Sequence, residues 1–235
     1  MDKDAIDSVK AMFEQWELYD EVIQHDYMQH QALAAAIADY ARQTKIAGRA
    51  LDLGCGDSYL GSLALSELPL TEYVGVDLSE SALDRAARRW AESPIPAALT
   101  QSDFATFLPD QADASFDFVL GSYSIHHFLP DRKQWLLQQI RRVLKPTGCF
   151  LWSDIVCEVG EAYSDCIDRL ADGMKADWTE LTSRQIEMAI AHIKEADFPE
   201  TEAWMVAQAA AAGLRLDRKL MEKPYFSAYA FLPDV

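Results

Sequence analysis

Between residues 48 and 156 short apolar runs alternate with longer stretches in which apolar residues recur every three or four positions. The runs at about 49–53, 72–77, 96–101, 115–121 and 148–156 predict buried strands, and the periodic stretches at about 58–68, 80–91 and 131–144 predict helices. Pro94 and Pro96 end the second helix and open the third strand, and Leu144-Lys145-Pro146-Thr147-Gly148 closes the third helix with a turn. Strands alternating with helices call for a parallel sheet covered on both faces. Outside this stretch the pattern changes. Residues 5–45 predict two helices, with Phe13, Trp16 and Asp20 on one side of the first and Tyr19 beside them; the second, 31–44, is alanine-rich. Residues 157–200 predict two more helices, 161–173 and 183–197, with Trp178 between them. A helix at 202–212, closed by Gly213, then precedes two antiparallel strands at 214–220 and 225–232. The chain reads as one domain, 1–235, with helical additions at 1–45 and 157–200 around a core at 48–156 and a last unit at 201–235.

The stretch that organises the chain is Ala50-Leu51-Asp52-Leu53-Gly54-Cys55-Gly56-Asp57-Ser58. An apolar strand ends in two glycines one residue apart, and a helix follows with Asp57 or Ser58 placed to cap it. Such a turn makes a nucleotide-sized cradle. The dinucleotide fingerprint G-x-G-x-x-G is broken, because Tyr59 holds its third glycine position. The second strand, Tyr73-Val74-Gly75-Val76-Asp77-Leu78-Ser79, ends in a carboxylate suited to a pair of ribose hydroxyls. Ser102-Asp103-Phe104 follows the third strand and Phe116-Asp117-Phe118-Val119-Leu120-Gly121-Ser122 makes the fourth.

Four motifs in this order resemble the class I S-adenosylmethionine-dependent methyltransferases. The resemblance implies a Rossmann-like, doubly wound α/β fold with a seven-stranded sheet, mostly parallel with one antiparallel strand, plus a helical cap. It implies S-adenosylmethionine as cofactor and S-adenosylhomocysteine as product. The cofactor residues are then Asp52, Gly54, Cys55, Gly56, Asp77, Leu78, Asp103, Phe104, Ser122 and Tyr123. Gly54 and Gly56 let the amino-acid part lie on the backbone. Asp52 either holds its ammonium or orients the loop, and Asp77 takes the ribose. Asp103 matches the family's contact to the adenine amino group. Phe104 either stacks on the adenine ring or packs in the core. Thr147 is a small departure, since the family often has a second glycine there.

Charge narrows the partners. Asp plus Glu number 38 against 21 Lys plus Arg, a formal net charge of −17, which repels nucleic acid and anionic membranes. No apolar run approaches the length of a membrane span, and Met1-Asp2-Lys3-Asp4 opens no signal peptide, so the expectation is a soluble, cytoplasmic protein acting on a small molecule. Cys55, Cys149, Cys157 and Cys166 show no metal spacing and no disulfide framework.

The remaining candidates lie near the ends of the strands. Ser122 and Tyr123 should sit by the methyl group or the methionine part of the cofactor. His126 is the candidate catalytic residue, a general base if the acceptor is a hydroxyl or a protonated amine. Neighbouring residues on a helix point about 100° apart, so His126 and His127 are not read as joint ligands and no metal is expected. Tyr19, Tyr27, His30, His127 and Trp178 are the candidate substrate residues; the competing role for His25 and His30 is plain capping. His192 reads as a solvent-facing helix residue. The resulting expectation is methyl transfer to a small acceptor by in-line displacement. Its alternatives are a nicotinamide-dependent oxidoreductase on a similar sheet and a cofactor-binding regulator without activity.

Overall fold

In a computed structural model that describes residues 16–234, β1 (Gly48–Leu53) lies between β2 (Leu70–Asp77) and β4 (Phe116–Ser122), parallel to both. Its side chains alternate: Ala50 and Asp52 face one layer, Leu51 and Leu53 the other, as the two-residue period of a strand requires. β3 (Ala97–Gln101) extends the sheet beyond β2, and β5 (Leu144–Cys157) beyond β4. β8 (Phe226–Pro233) pairs antiparallel with β5, and β7 (Leu214–Glu222) antiparallel with β8. The order is β3-β2-β1-β4-β5-β8-β7 with β8 alone reversed, the expected seven-stranded arrangement. A two-residue strand, β6 (Glu200–Thr201), adds to the end of β5.

One face is covered by α2 (His30–Gln43), α3 (Tyr59–Leu65) and α4 (Glu80–Trp90), which bury Leu33, Ile37, Tyr40, Leu65 and Trp90. The other is covered by α6 (Pro130–Val143) and α9 (Glu202–Ala211), with a one-turn helix α5 (Phe104–Phe107) that the sequence pattern does not reveal. Leu136, Leu137 and Ile140 are fully buried there. Each such side chain contributes about 1.5–3 kcal/mol through its removal from water. Three helices lie outside the two layers: α1 (Trp16–Gln24), α7 (Tyr163–Asp177) and α8 (Ser183–Ala196). Phe13 and the side chain of Trp16 lie outside the described residues.

Two sequence readings need correction and one alternative is resolved. β5 begins at Leu144 rather than at about Gly148: Phe116 pairs with Leu144 and Phe118 with Cys149, so Lys145–Gly148 forms a bulge where Pro146 owes the ladder no hydrogen bond. Of the two capping candidates for α3, Ser58 turns its hydroxyl to Tyr73 Oη at 3.0 Å, and it is Asp57 whose Oδ1 accepts the Tyr59 N–H at 3.0 Å. Cys157 and Cys166 form a disulfide, which joins the end of β5 to the first turn of α7. Their spacing carries no signal because the bridge depends on where α7 turns back.

Candidate active site

The glycine loop takes its shape from two neighbours. Gly54 N and Cys55 N both donate to Val76 O, at 2.8 and 3.0 Å, which fastens the loop to the end of β2. Gly54 has φ +72°, and a Cβ there would stand 2.5 Å from Ser124 Cβ; Gly56 has φ +53°, and a Cβ there would meet no atom within 4 Å. The first glycine therefore answers to packing, and the second faces open space. Asp77 holds the loop from below: its Oδ2 accepts the Gly56 N–H at 2.8 Å and its Oδ1 the Ser79 N–H at 2.9 Å. Burial raises the Asp77 carboxyl above the ordinary range, and these amides pull it back. Asp52, 4% exposed, accepts the Tyr73 hydroxyl at 2.7 Å, and burial pushes its carboxyl up to about 7.

Across from the loop, Ser122 and Tyr123 end β4. Ser153 Oγ donates to Ser122 Oγ at 2.7 Å, and Tyr123 donates its hydroxyl to Met28 O at 2.7 Å. Tyr123 has φ +51°, an uncommon conformation for an aromatic residue and one found where a site fixes a side chain. Between the loop and this wall lies a cavity at the carboxyl ends of β1 and β4, where the strand order reverses. Its roof is mostly apolar: Leu18 and Val22 of α1, Met28, Leu170 and Met174 of α7, Trp178 and Ile193. Tyr19 closes the edge by donating to Asp57 Oδ1 at 2.9 Å, and Arg89 Nη2 donates to Asp57 Oδ2 at 2.6 Å.

One end of the cavity is polar. His126 and His127 lie on a 3-10 turn, Ile125–His127. His126 Nδ1 pairs with Asp154 Oδ1, while Asp154 Oδ2 accepts the His126 N–H at 3.1 Å and the Trp152 indole N–H at 3.0 Å. Asp197, 2% exposed, enters from the end of α8: its Oδ1 stands 3.2 Å from His127 Nδ1, 3.4 Å from His126 Nε2 and 3.7 Å from His192 Nε2. None of these approaches makes a hydrogen bond to that oxygen. Burial disfavours the His126 cation, but the Asp154 and Asp197 carboxylates outweigh it and raise the imidazole. Burial also disfavours ionised Asp197; His126 and His127 outweigh it and hold the carboxyl below its usual range. Burial pushes His192 down to about 4.

Of the residues expected from sequence, Asp52, Gly54, Cys55, Gly56, Ser122, Tyr123, Tyr19, His30, His126, His127 and Trp178 line this one cavity. Others lie elsewhere. Leu78 sits at the end of β2, where its carbonyl accepts from Gln101 Nε2 at 3.1 Å. Asp103 caps α5 by accepting the Ala105 N–H at 2.8 Å. Phe104 packs in the core, its ring 5.0 Å from that of Phe128. Tyr27 stacks on Trp178 at 5.2 Å and accepts the Glu180 N–H at 2.9 Å, joining the two cap segments outside the cavity. His192 is not solvent-facing: it lines the cavity, because α8 turns that face inward. Asp154 and Asp197 are absent from the sequence reading as site residues, and Asp57 enters it only as a helix cap. An acid inside the apolar run Trp152-Ser153-Asp154-Ile155-Val156 is a usable signal, since carboxylates are almost never fully buried without a partner.

Residues 51–150 match a family model described as a methyltransferase domain. An uncharacterized methyltransferase of Bacillus cereus (strain ZK / E33L) is 24% identical over 163 residues, covering 67% of this chain and 72% of that protein. The fold is similar to that of DhpI in its complex with SAH, with a TM-score of 0.69 at 17% identity over 99% of this chain and 98% of the other. It is also similar to the complex between the Haloferax volcanii Trm112 methyltransferase activator and a putative methyltransferase, with a TM-score of 0.66 at 15% identity over 96% and 97% of the two chains. Among the described residues, no helix is long and apolar enough to cross a membrane.

Proposed function

We propose that the chain, whose residues 51–150 match a methyltransferase domain, is an S-adenosylmethionine-dependent methyltransferase that passes the methyl group to a small-molecule acceptor bound under the helical cap. The observation that carries this reading is the single cavity running from the glycine loop to the His126–Asp197 end beneath an apolar roof. Methyl transfer from sulfur asks mainly that donor and acceptor be held in line, with water kept away; positioning of this kind supplies several kcal/mol. The glycine-loop backbone, Asp52 and Asp77 would hold the cofactor, and Tyr123 would fix the wall beside the methyl group. The acceptor's heteroatom belongs at the polar end, with His126 the side chain assigned to receive or position its proton. A net charge of −17 and a narrow, roofed cavity support a small acceptor over nucleic acid.

The test begins with thermal shifts. S-adenosylhomocysteine should stabilise the protein, and NAD and NADP should not. Formation of S-adenosylhomocysteine should then be followed with hydroxyl, amine, thiol and activated-carbon acceptors of small size. Turnover on RNA or protein alone would overturn the small-molecule reading.

A further inference from the structure

We propose that His126, His127 and Asp197 form a binding site for one divalent first-row metal ion at the polar end of the cavity, with His192 as a fourth donor at its edge. Each of the three offers a donor atom within 4.8 Å of the others, and all are buried. Nitrogen and carboxylate ligands lie about 2.0–2.2 Å from such an ion, so donors to one ion stand roughly 3.0–3.4 Å apart. The separations of 3.4 Å from His126 Nε2 and 3.2 Å from His127 Nδ1 to Asp197 Oδ1 are of this size. His192 Nε2, at 3.7 Å, lies just outside it.

Two features favour an ion over a plain hydrogen-bonded cluster. Asp197 Oδ1 is buried beside three imidazoles and bonds to none of them, and His192 Nδ1 is also buried without a partner. Buried polar atoms need a partner, and one ion among these donors would supply it to Asp197 Oδ1. His126 is already arranged as a ligand: Asp154 holds Nδ1, which leaves Nε2 as the free donor, and Asp154 is itself fixed by Trp152 and by the His126 and Ile155 amides. A carboxylate behind an imidazole is the usual support for a metal-bound histidine. His127 Nδ1 also lies 3.1 Å from Ala196 O, so His127 would exchange that contact for the ion. Imidazole with one carboxylate suits Zn2+ and Fe2+. The ion would supply a Lewis acid beside the place where the acceptor's heteroatom is proposed to bind, and with Nε2 on the ion His126 would act there as its ligand in place of its role toward the acceptor's proton. The site itself is argued from donor geometry and does not depend on the methyl-transfer reading.

The test uses the full chain with any purification tag removed. Metal analysis of the purified protein comes first, then titration of chelator-treated protein with Co2+, followed by its visible absorption, and displacement by Zn2+. The expected result is saturation at about one ion per chain. Asp197→Ala and His127→Ala should each weaken Co2+ binding by more than tenfold, whereas His25→Gln, outside the cavity, should leave it unchanged. S-adenosylhomocysteine binding is measured on the same samples, which separates loss of the metal site from loss of the cofactor site. If folded wild-type protein gives no saturable Co2+ band, or if His127→Ala and His192→Gln bind Co2+ as wild type does, the site is a proton-sharing histidine–aspartate cluster and the proposal fails.

Discussion

Tyr19 in the cap donates its hydroxyl to Asp57, four residues after the strand that carries the glycine loop, at 2.9 Å. The bond ties a helix outside the two-layered core to the start of α3. Asp57 has a second partner in Arg89 of α4, at 2.6 Å, so its carboxylate stays compensated when Tyr19 is changed. Tyr19→Phe should therefore leave the fold intact and loosen the roof. One hydrogen bond to a charged group is worth about 1.5–3 kcal/mol, part of it spent on closing the cap, so S-adenosylhomocysteine affinity should fall by roughly tenfold. Calorimetry gives the affinity and hydrogen exchange over 17–30 the loosening; no change in either would mean that α1 is plain packing.

The two loop glycines should fail in different ways. At Gly54 a Cβ would collide with Ser124 Cβ at 2.5 Å, so Gly54→Ala should lower thermal stability even without ligand. At Gly56 a Cβ enters empty space and the cost is the positive φ, on the order of 1 kcal/mol. Gly56→Val should thus fold and lose S-adenosylhomocysteine, because the side chain occupies the place of the ligand. Full binding by folded Gly56→Val would show that the cofactor lies elsewhere.

Asp77 is expected to hold the ribose, yet in the free protein both its oxygens already accept backbone amides from Gly56 and Ser79. Asp77→Ala removes the ligand contact and the loop's anchor together, whereas Asp77→Asn keeps the shape and one acceptor. Alanine should cost about 1.5–3 kcal/mol of binding and some stability, and asparagine should cost binding with less stability. Melting curves and calorimetry on both variants separate the two roles; equal affinity in both would count against the ribose contact.

The core was legible in the sequence because strand and helix periods differ and because Gly54, Gly56 and Asp77 mark strand ends. Cavity-lining residues near those ends, such as Ser122 and Tyr123, followed from the topology alone. What was not legible depends on long-range approach. Asp197 reaches His126 across 71 residues of sequence, and no local pattern records that the end of α8 returns to the 125–127 turn. His192 looked solvent-facing for the same reason: a helix sequence gives its faces but not which neighbour each will meet. Phe104 and Asp103 follow β3 as expected, but a one-turn helix there takes the first into the core and uses the second as its cap.

Asp52 supplies a pH dependence whose sign can be worked out. Burial holds its carboxyl at about 7 in the free protein, the Tyr73 hydroxyl pulls it down, and nearby Asp77 pushes it up. The folded value lies above the ordinary carboxylate value of the unfolded chain. The group's contribution to stability is therefore fully present at low pH and is lost as pH rises through about 7. A bound cofactor reverses the preference, since its ammonium at the loop favours the ionised carboxylate. The free protein should lose stability between about pH 4 and pH 7 relative to Asp52→Asn, which keeps a neutral acceptor throughout, and the loss should level off above pH 7. S-adenosylhomocysteine affinity should rise over the same interval in wild type, as the proton that binding must expel is already gone, and should be flatter in Asp52→Asn. Thermal melts give the first trend and calorimetry in two buffers of different ionisation enthalpy gives the second. If binding releases the same number of protons in wild type and Asp52→Asn near pH 6.5, the ammonium is held by another group and Asp52 serves only to orient the glycine loop through Tyr73.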